Sequence, residues 1–221
     1  PEPAWIVCGA GTGGTSATIG RYLRYRGTAT RVCVAEPTGG AFATGWRSRD
    51  PDAPASAPTL IEGIGRPKAE PGFLYDVVDA VEEVDDAESI AAAWRLEDLL
   101  GRRYGGSSGT NLVACLRLAA AMRARGETGS IVSLLCDRGD RYEETLFDPA
   151  WLSDQGIDEQ RDLVAVGFEH HENAALKIGH AAGQAECITQ RQDVQELVAH
   201  LYQPWHATYA LDHVGSRLQR L

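Results

Sequence analysis

No stretch of this 221-residue chain is apolar for long enough to span a bilayer, and none reads as a signal peptide. A membrane-spanning helix is therefore not expected. Positive charge is in deficit: 21 Lys and Arg stand against 31 Asp and Glu, for a net charge of −10. Such a surface repels phosphate backbones and anionic lipid, which argues against nucleic acid and membrane as partners. Lysine is scarcer still, with Lys68 and Lys177 the only two. The five cysteines (Cys8, Cys33, Cys115, Cys136 and Cys187) are odd in number and fall at no metal-ligand spacing. They sit in apolar runs, so the expectation is no metal centre and buried free thiols in a reducing cytoplasm. Histidine and glutamine are absent from residues 1–150, while all six His and all eight Gln fall in 151–221. That break points to a separate module, a fused segment or a tail of unrelated origin after about residue 156.

What is there reads as an ordinary globular protein, 43% hydrophobic and 24% charged. Residues Trp5 to Cys8 have the pattern of a buried strand, and Thr15 to Tyr25 that of a helix. A second strand is expected over "RVCVA" (Arg31 to Ala35) and a third over "SIVSLLC" (Ser130 to Cys136). Between them, "SRDPDAPASAP" reads as a loop. Ile90, Trp94, Leu96 and Leu100 recur at helical spacing over Asp86 to Leu100, and Leu112, Cys115, Leu116 and Leu118 do so over Asn111 to Ala124. Strands alternating with helices predict an α/β fold with a mainly parallel sheet and helices on both faces.

The segment "WIVCGAGTGGTSATIG" joins the first strand to the first helix through a knot of glycines. Gly9, Gly11 and Gly14 satisfy G-x-G-x-x-G, and Glu36 closes the next strand. That spacing is nearly the full dinucleotide fingerprint, with Glu36 placed for a ribose hydroxyl, and it supports an NAD(P)- or FAD-dependent oxidoreductase. The same loop carries the hydroxyls of Thr12, Thr15 and Ser16. Amides at a helix N-terminus together with hydroxyls make a cup for a terminal phosphate dianion. A tight turn without a ligand, or a remnant that holds phosphate without turnover, fits the loop as well.

Further stretches bear on the choice. "GAGTGGTSATIGRYLR", "VCVAEP", "IEGIGRPKAEPGF", "YGGSSGTNL" and "LLCDRGDRYEETLFDPAWL" occur in this order. Over about residues 4–156 the chain thereby resembles the pyridoxal-phosphate enzymes of the cysteine synthase and cystathionine β-synthase family, with its closest likeness to the bacterial cysteine desulfhydrases. The resemblance implies the family's tryptophan synthase β-like fold (fold type II), represented here without the N-terminal part of the catalytic unit. It implies pyridoxal 5′-phosphate as cofactor, a small amino-acid substrate, a homodimer and a cytoplasmic enzyme. The implied reaction is β-elimination or β-replacement on cysteine, serine or an activated serine.

By the same resemblance, Gly11, Thr12, Gly13, Gly14 and Thr15 cradle the cofactor phosphate. Ser107 meets the pyridine nitrogen, and Gly63, Ile64 and Gly65 line the substrate side of the ring. Without the resemblance, Ser107 and Ser108 read as a turn capping a helix that starts near Asn111. The family's Schiff-base lysine lies upstream of the glycine loop, where this chain has only Pro1 to Ala4. Neither Lys68 nor Lys177 stands at the matching position. Lys68 is expected to be a solvated loop residue, or else to reach the mouth of the site. The chain thus reads as the cofactor-cradling half of an enzyme, inactive by itself, with a cofactor-binding region over 1–156.

Residues 157–221 match nothing familiar and read as a helical or non-native tail. "DVQELVAHLY" (Asp193 to Tyr202) has one apolar helix face. The cluster His170, His171, Glu172 and His180 lacks an H-x-x-x-H pattern, and surface histidines are expected there in place of a metal site.

Overall fold

The computed structural model describes residues 2–157 and two short strands farther on, at 177–180 and 186–189. The elements are β1 (Trp5–Gly9), α1 (Gly14–Arg26), β2 (Arg31–Pro37), α2 (Ala41–Ser48), β3 (Ala80–Val84), α3 (Asp86–Leu100), α4 (Gly106–Ala124), β4 (Ile131–Ser133), α5 (Pro149–Asp154), β5 (Lys177–His180) and β6 (Glu186–Thr189). Strands β1 to β4 form one parallel sheet in the order β3-β2-β1-β4, and β5 pairs with β6 in a separate antiparallel ladder.

A parallel sheet must be covered on both faces, and the sequence of β2 shows it. Val32, Cys33, Val34 and Ala35 are all completely buried. Cys33 and Ala35 pack with Trp5, Val7 and Ile131 against Leu112, Cys115, Leu118 and Met122 of α4. Val34 faces the other way, into a cluster of Ala10, Phe42, Phe73 and Val78. There Phe42 of α2 stacks on Phe73 with ring centroids 4.3 Å apart. A third cluster of Ile61, Ile64, Ile90, Tyr142, Leu146 and Leu152 joins the long loop to α3 and α5.

Helices α2 and α5 were not expected, and β3, β4 and α4 differ from the expectation. β3, "AVEEV", hides behind two adjacent glutamates; it is an edge strand, and Glu83 is used by the Gly39 N–H at 3.2 Å and by the Arg47 guanidinium. β4 ends at Ser133, not Cys136, because the chain beyond it turns to meet side chains of α4. α4 starts at Gly106, a turn and more before Asn111, and Gly105 is its N-cap, so neither Ser107 nor Ser108 serves as the cap.

Because every strand of the main sheet runs the same way, all four carboxyl ends lie along one edge. From β1 the chain winds outward through β2 and β3, then returns to β4 on the other side of β1. The crevice beyond the carboxyl ends of β1 and β4 is therefore the topological switch point, where open parallel sheets bind their ligands. The helix expected over 193–202 and the residues His170, His171 and Glu172 lie outside the described residues. His180 closes β5.

Candidate functional site

The glycine knot is the β1–α1 turn. Gly13 precedes α1 in the left-handed conformation (φ 80°), which glycine adopts without strain. A Cβ on Gly11 would overlap the carbonyl oxygen of Gly63, so only a bare backbone lets the two loops approach this closely. The first amides of α1 have no intrahelical acceptor, and the first turn carries no acidic residue. Gly14, Thr12 and Thr15 are exposed at this turn. Ser16 is not part of that open surface as expected: it is buried and donates to Gly13 O at 3.0 Å. Arg66 Nε reaches the Gly11 carbonyl at 3.4 Å.

The segment Gly63 to Gly65 lies across this turn. Gly63 and Gly65 have φ of 86° and 70°, and Ile64 between them is buried. A Cβ on Gly9 would come within 2.9 Å of Ile64 Cγ2. Lys68, farther along the loop, is exposed, and its backbone bridges to Pro54.

The third part is the start of α4. Ser108 Oγ accepts from the Cys136 N–H at 2.9 Å. Asn111 Nδ2 donates to Leu134 O at 2.9 Å and lies 3.6 Å from Cys136 Sγ. These contacts hold the segment after β4 against the helix. Ser107, one turn before Asn111 on the same helix face, lies close enough to the Cys136 thiol to lower its pKa. Cys8, Cys33 and Cys115 are buried and free as expected, whereas Cys136 is exposed because β4 has already ended. Desolvation nevertheless raises its thiol pKa, with Asp137 adding to the rise and Ser107, Ser108 and Asn111 opposing it. Burial pushes the nearby Cys8 up to about 12.

The turn at 11–15, the segment 63–65 and the start of α4 thus meet at the carboxyl edge of the sheet. A family model for pyridoxal-phosphate dependent enzymes matches residues 1–137. The chain belongs to this family. It is 53% identical over 158 residues to an L-cysteine desulfhydrase of Mycobacterium tuberculosis, covering 72% of this chain and 43% of that protein. It is 31% identical over 168 residues to a cysteine synthase of Neurospora crassa, covering 75% of this chain and 42% of that one. Among solved structures, an O-acetylserine sulfhydrylase isoform of Entamoeba histolytica superposes with a TM-score of 0.59 at 26% identity, over 75% of this chain and 45% of that one. A hydrogen sulfide-producing enzyme of Fusobacterium nucleatum gives 0.56 at 29% identity, over 66% of this chain and 41% of that one. The chain thus spans less than half the length of these relatives.

The dinucleotide reading of Gly9, Gly11, Gly14 and Glu36 is corrected by this membership and by Glu36 itself. Glu36 is completely buried, and its carboxylate accepts from the Phe42 and Ala43 amides at the start of α2. It caps a helix and has no face left for a ribose. Asn111 and Cys136 also stand at this crevice, and the sequence pattern did not single them out. The signal available was a lone amide in the apolar run "NLVACL", one turn after Ser107. Among the described residues no group of three His, Cys, Asp or Glu could hold a metal ion, and no helix is long and apolar enough to cross a membrane.

Proposed function

We propose that residues 1–156 form the cofactor-cradling part of a pyridoxal-phosphate lyase that eliminates sulfide from cysteine. The observation that carries this reading is the 53% identity to an L-cysteine desulfhydrase over 158 residues, beside a family match over 1–137 that spans all three parts of the crevice. Replacement at the β-carbon, as in the cysteine synthases, is the second reading. A homodimer acting in the cytoplasm fits it, since the buried unpaired thiols of Cys8, Cys33 and Cys115 suit a reducing compartment.

The fit of the cofactor rests on the glycine turn. Gly11 and Gly13 leave the backbone bare where the Gly63 carbonyl and Phe73 crowd it, and the first amides of α1 open beside the exposed Thr12 and Thr15. In this reading Gly11, Thr12, Gly13, Gly14 and Thr15 hold the phosphate through amides, hydroxyls and the positive end of α1. Ser107 faces the pyridine nitrogen from the first turn of α4. Gly63, Ile64 and Gly65 line the substrate side, with Ile64 excluding water from the Gly9 end of β1. The cofactor supplies the electron sink for the bonds at the amino-acid α-carbon. A serine hydroxyl does not hold a proton on the ring nitrogen as a carboxylate would, which suits departure of a good leaving group from the β-carbon.

Thr12→Ala and Thr15→Ala each remove a hydroxyl from a charged phosphate, at a cost of about 1.5–3 kcal/mol or roughly ten- to a hundredfold in affinity. Fluorescence titration with pyridoxal phosphate measures this directly. Unaltered affinity in both variants, or thermal protection of the chain by NAD and not by pyridoxal phosphate, would overturn the assignment.

A further inference from the structure

The corner between α4 and the end of β4 holds two groups for which the proposed reaction has no use. One is the Cys136 thiol, exposed where Cys8, Cys33 and Cys115 are buried. The second is Oδ1 of Asn111. That residue is 1% exposed, and the oxygen has no donor among the described residues. The amide's orientation is set by its nitrogen, which donates to Leu134 O at 2.9 Å and lies 3.6 Å from Cys136 Sγ. The oxygen therefore looks toward the end of β1, where a Cβ on Gly9 would lie 3.6 Å from it. A buried acceptor without a donor marks a place where a bound group or an ordered water belongs. It lies in the switch-point crevice, and the thiol stands at the rim of the same space beside Ser107.

We propose that Cys136 is a modification site inside this crevice, where disulfide exchange with a small disulfide such as cystine and occupation by the pyridoxal ring exclude each other. The inference rests on the cofactor reading above: a ring that faces Ser107 stands against the Cys136 thiol. In the exchange, the Cys136 thiolate attacks one sulfur of the small disulfide. The old S–S bond breaks as the new one forms, and the other half leaves as a thiolate that takes up the proton Cys136 gave to solvent. The disulfide is itself the oxidant, so no further reactant is needed. The thiolate is the attacking species, and desolvation disfavours it, so the exchange quickens as pH rises. Once capped, Cys136 carries a polar adduct into the space beside Ser107 and obstructs the ring.

The test uses the whole chain and 4′-deoxypyridoxine 5′-phosphate, which has the ring and phosphate but no aldehyde to react with Lys68 or Lys177. Calorimetry measures its binding, and peptide mass mapping measures cystine exchange at Cys136. At saturation the analogue should slow exchange at Cys136 roughly tenfold or more, and the capped chain should bind the analogue correspondingly more weakly. In Cys136→Ser, pretreatment with cystine should no longer affect analogue binding. Binding of the analogue with no protection of Cys136 overturns this inference and leaves the cofactor reading standing. Failure of the unmodified chain to bind the analogue overturns both.

Discussion

Glu36 holds a carboxylate where no solvent reaches it. Burial raises its pKa to about 7, even though the Phe42 and Ala43 amides and the nearby Arg47 pull it down; Glu83 adds to the rise. The folded-state value lies above the 4.5 of an ordinary glutamate, so folding favours the protonated form. With respect to this group, stability is full below about pH 4.5 and is lost as pH rises through about 7, by at most about 3 kcal/mol. Glu36→Gln keeps an oxygen for the α2 amides and carries no charge. Urea unfolding at pH 5 and pH 8 should therefore show the variant gaining on the wild type at the higher pH. An equal gap at both pH values would mean that Glu36 ionises like an exposed carboxylate. The sequence placed this residue correctly at the end of its strand, but spacing could not say which group its carboxylate meets. That depended on α2, an element the sequence pattern did not reveal.

At the scale of elements, the contact between α3 and α4 accounts for a glycine inside a helix. A Cβ on Gly109 would overlap the Ser89 carbonyl oxygen and lie 2.8 Å from the Ala93 nitrogen. The two backbones touch there, and Thr110 Oγ1 donates to Ser89 Oγ at 2.8 Å beside the contact. Gly109→Ala should push the helices apart and cost about 1–3 kcal/mol, seen as a lowered Tm. Gly14→Ala makes the comparison, because its Cβ would meet only Thr12 Oγ1 at an ordinary 3.6 Å. Equal Tm values for the two variants would show that α3 can yield. The bounds of α3 were legible because local chemistry marks both ends: the capping box of Asp85 and Glu88 at its start and left-handed Gly101 at its end. The first turn of α4 was not, since "GSSGT" has poor helix propensity and is held in a helix by Ser108 and Asn111 gripping the segment after β4.

At the scale of the whole molecule, the candidate site is assembled from stretches some fifty residues apart in sequence. Periodicity predicted the parallel sheet, but it could not bring residues 11–15, 63–65 and 107 to one edge; the resemblance of their motifs did that. It also supplies the last prediction. In this family a lysine amine holds the cofactor's aldehyde and takes the proton from the substrate's α-carbon, and the chain offers Lys68 and Lys177 alone. Lys68 is exposed on the loop beyond Gly65, with its backbone tied to Pro54. Lys177 opens β5, in the part of the chain past the family match. Neither belongs to the stretches that form the crevice. The 221-residue chain alone should therefore release sulfide from cysteine no faster than free pyridoxal phosphate does. Joined to the upstream segment of a homologous enzyme that carries the family's lysine, it should turn yellow with the cofactor and release sulfide. Faster production of cysteine from an activated serine by that chimera would move the assignment from elimination to replacement. Sulfide release by the chain alone, abolished by Lys68→Ala or Lys177→Ala, would place the working amine on one of those two residues and would mean that the loop or β5 closes over the crevice during turnover.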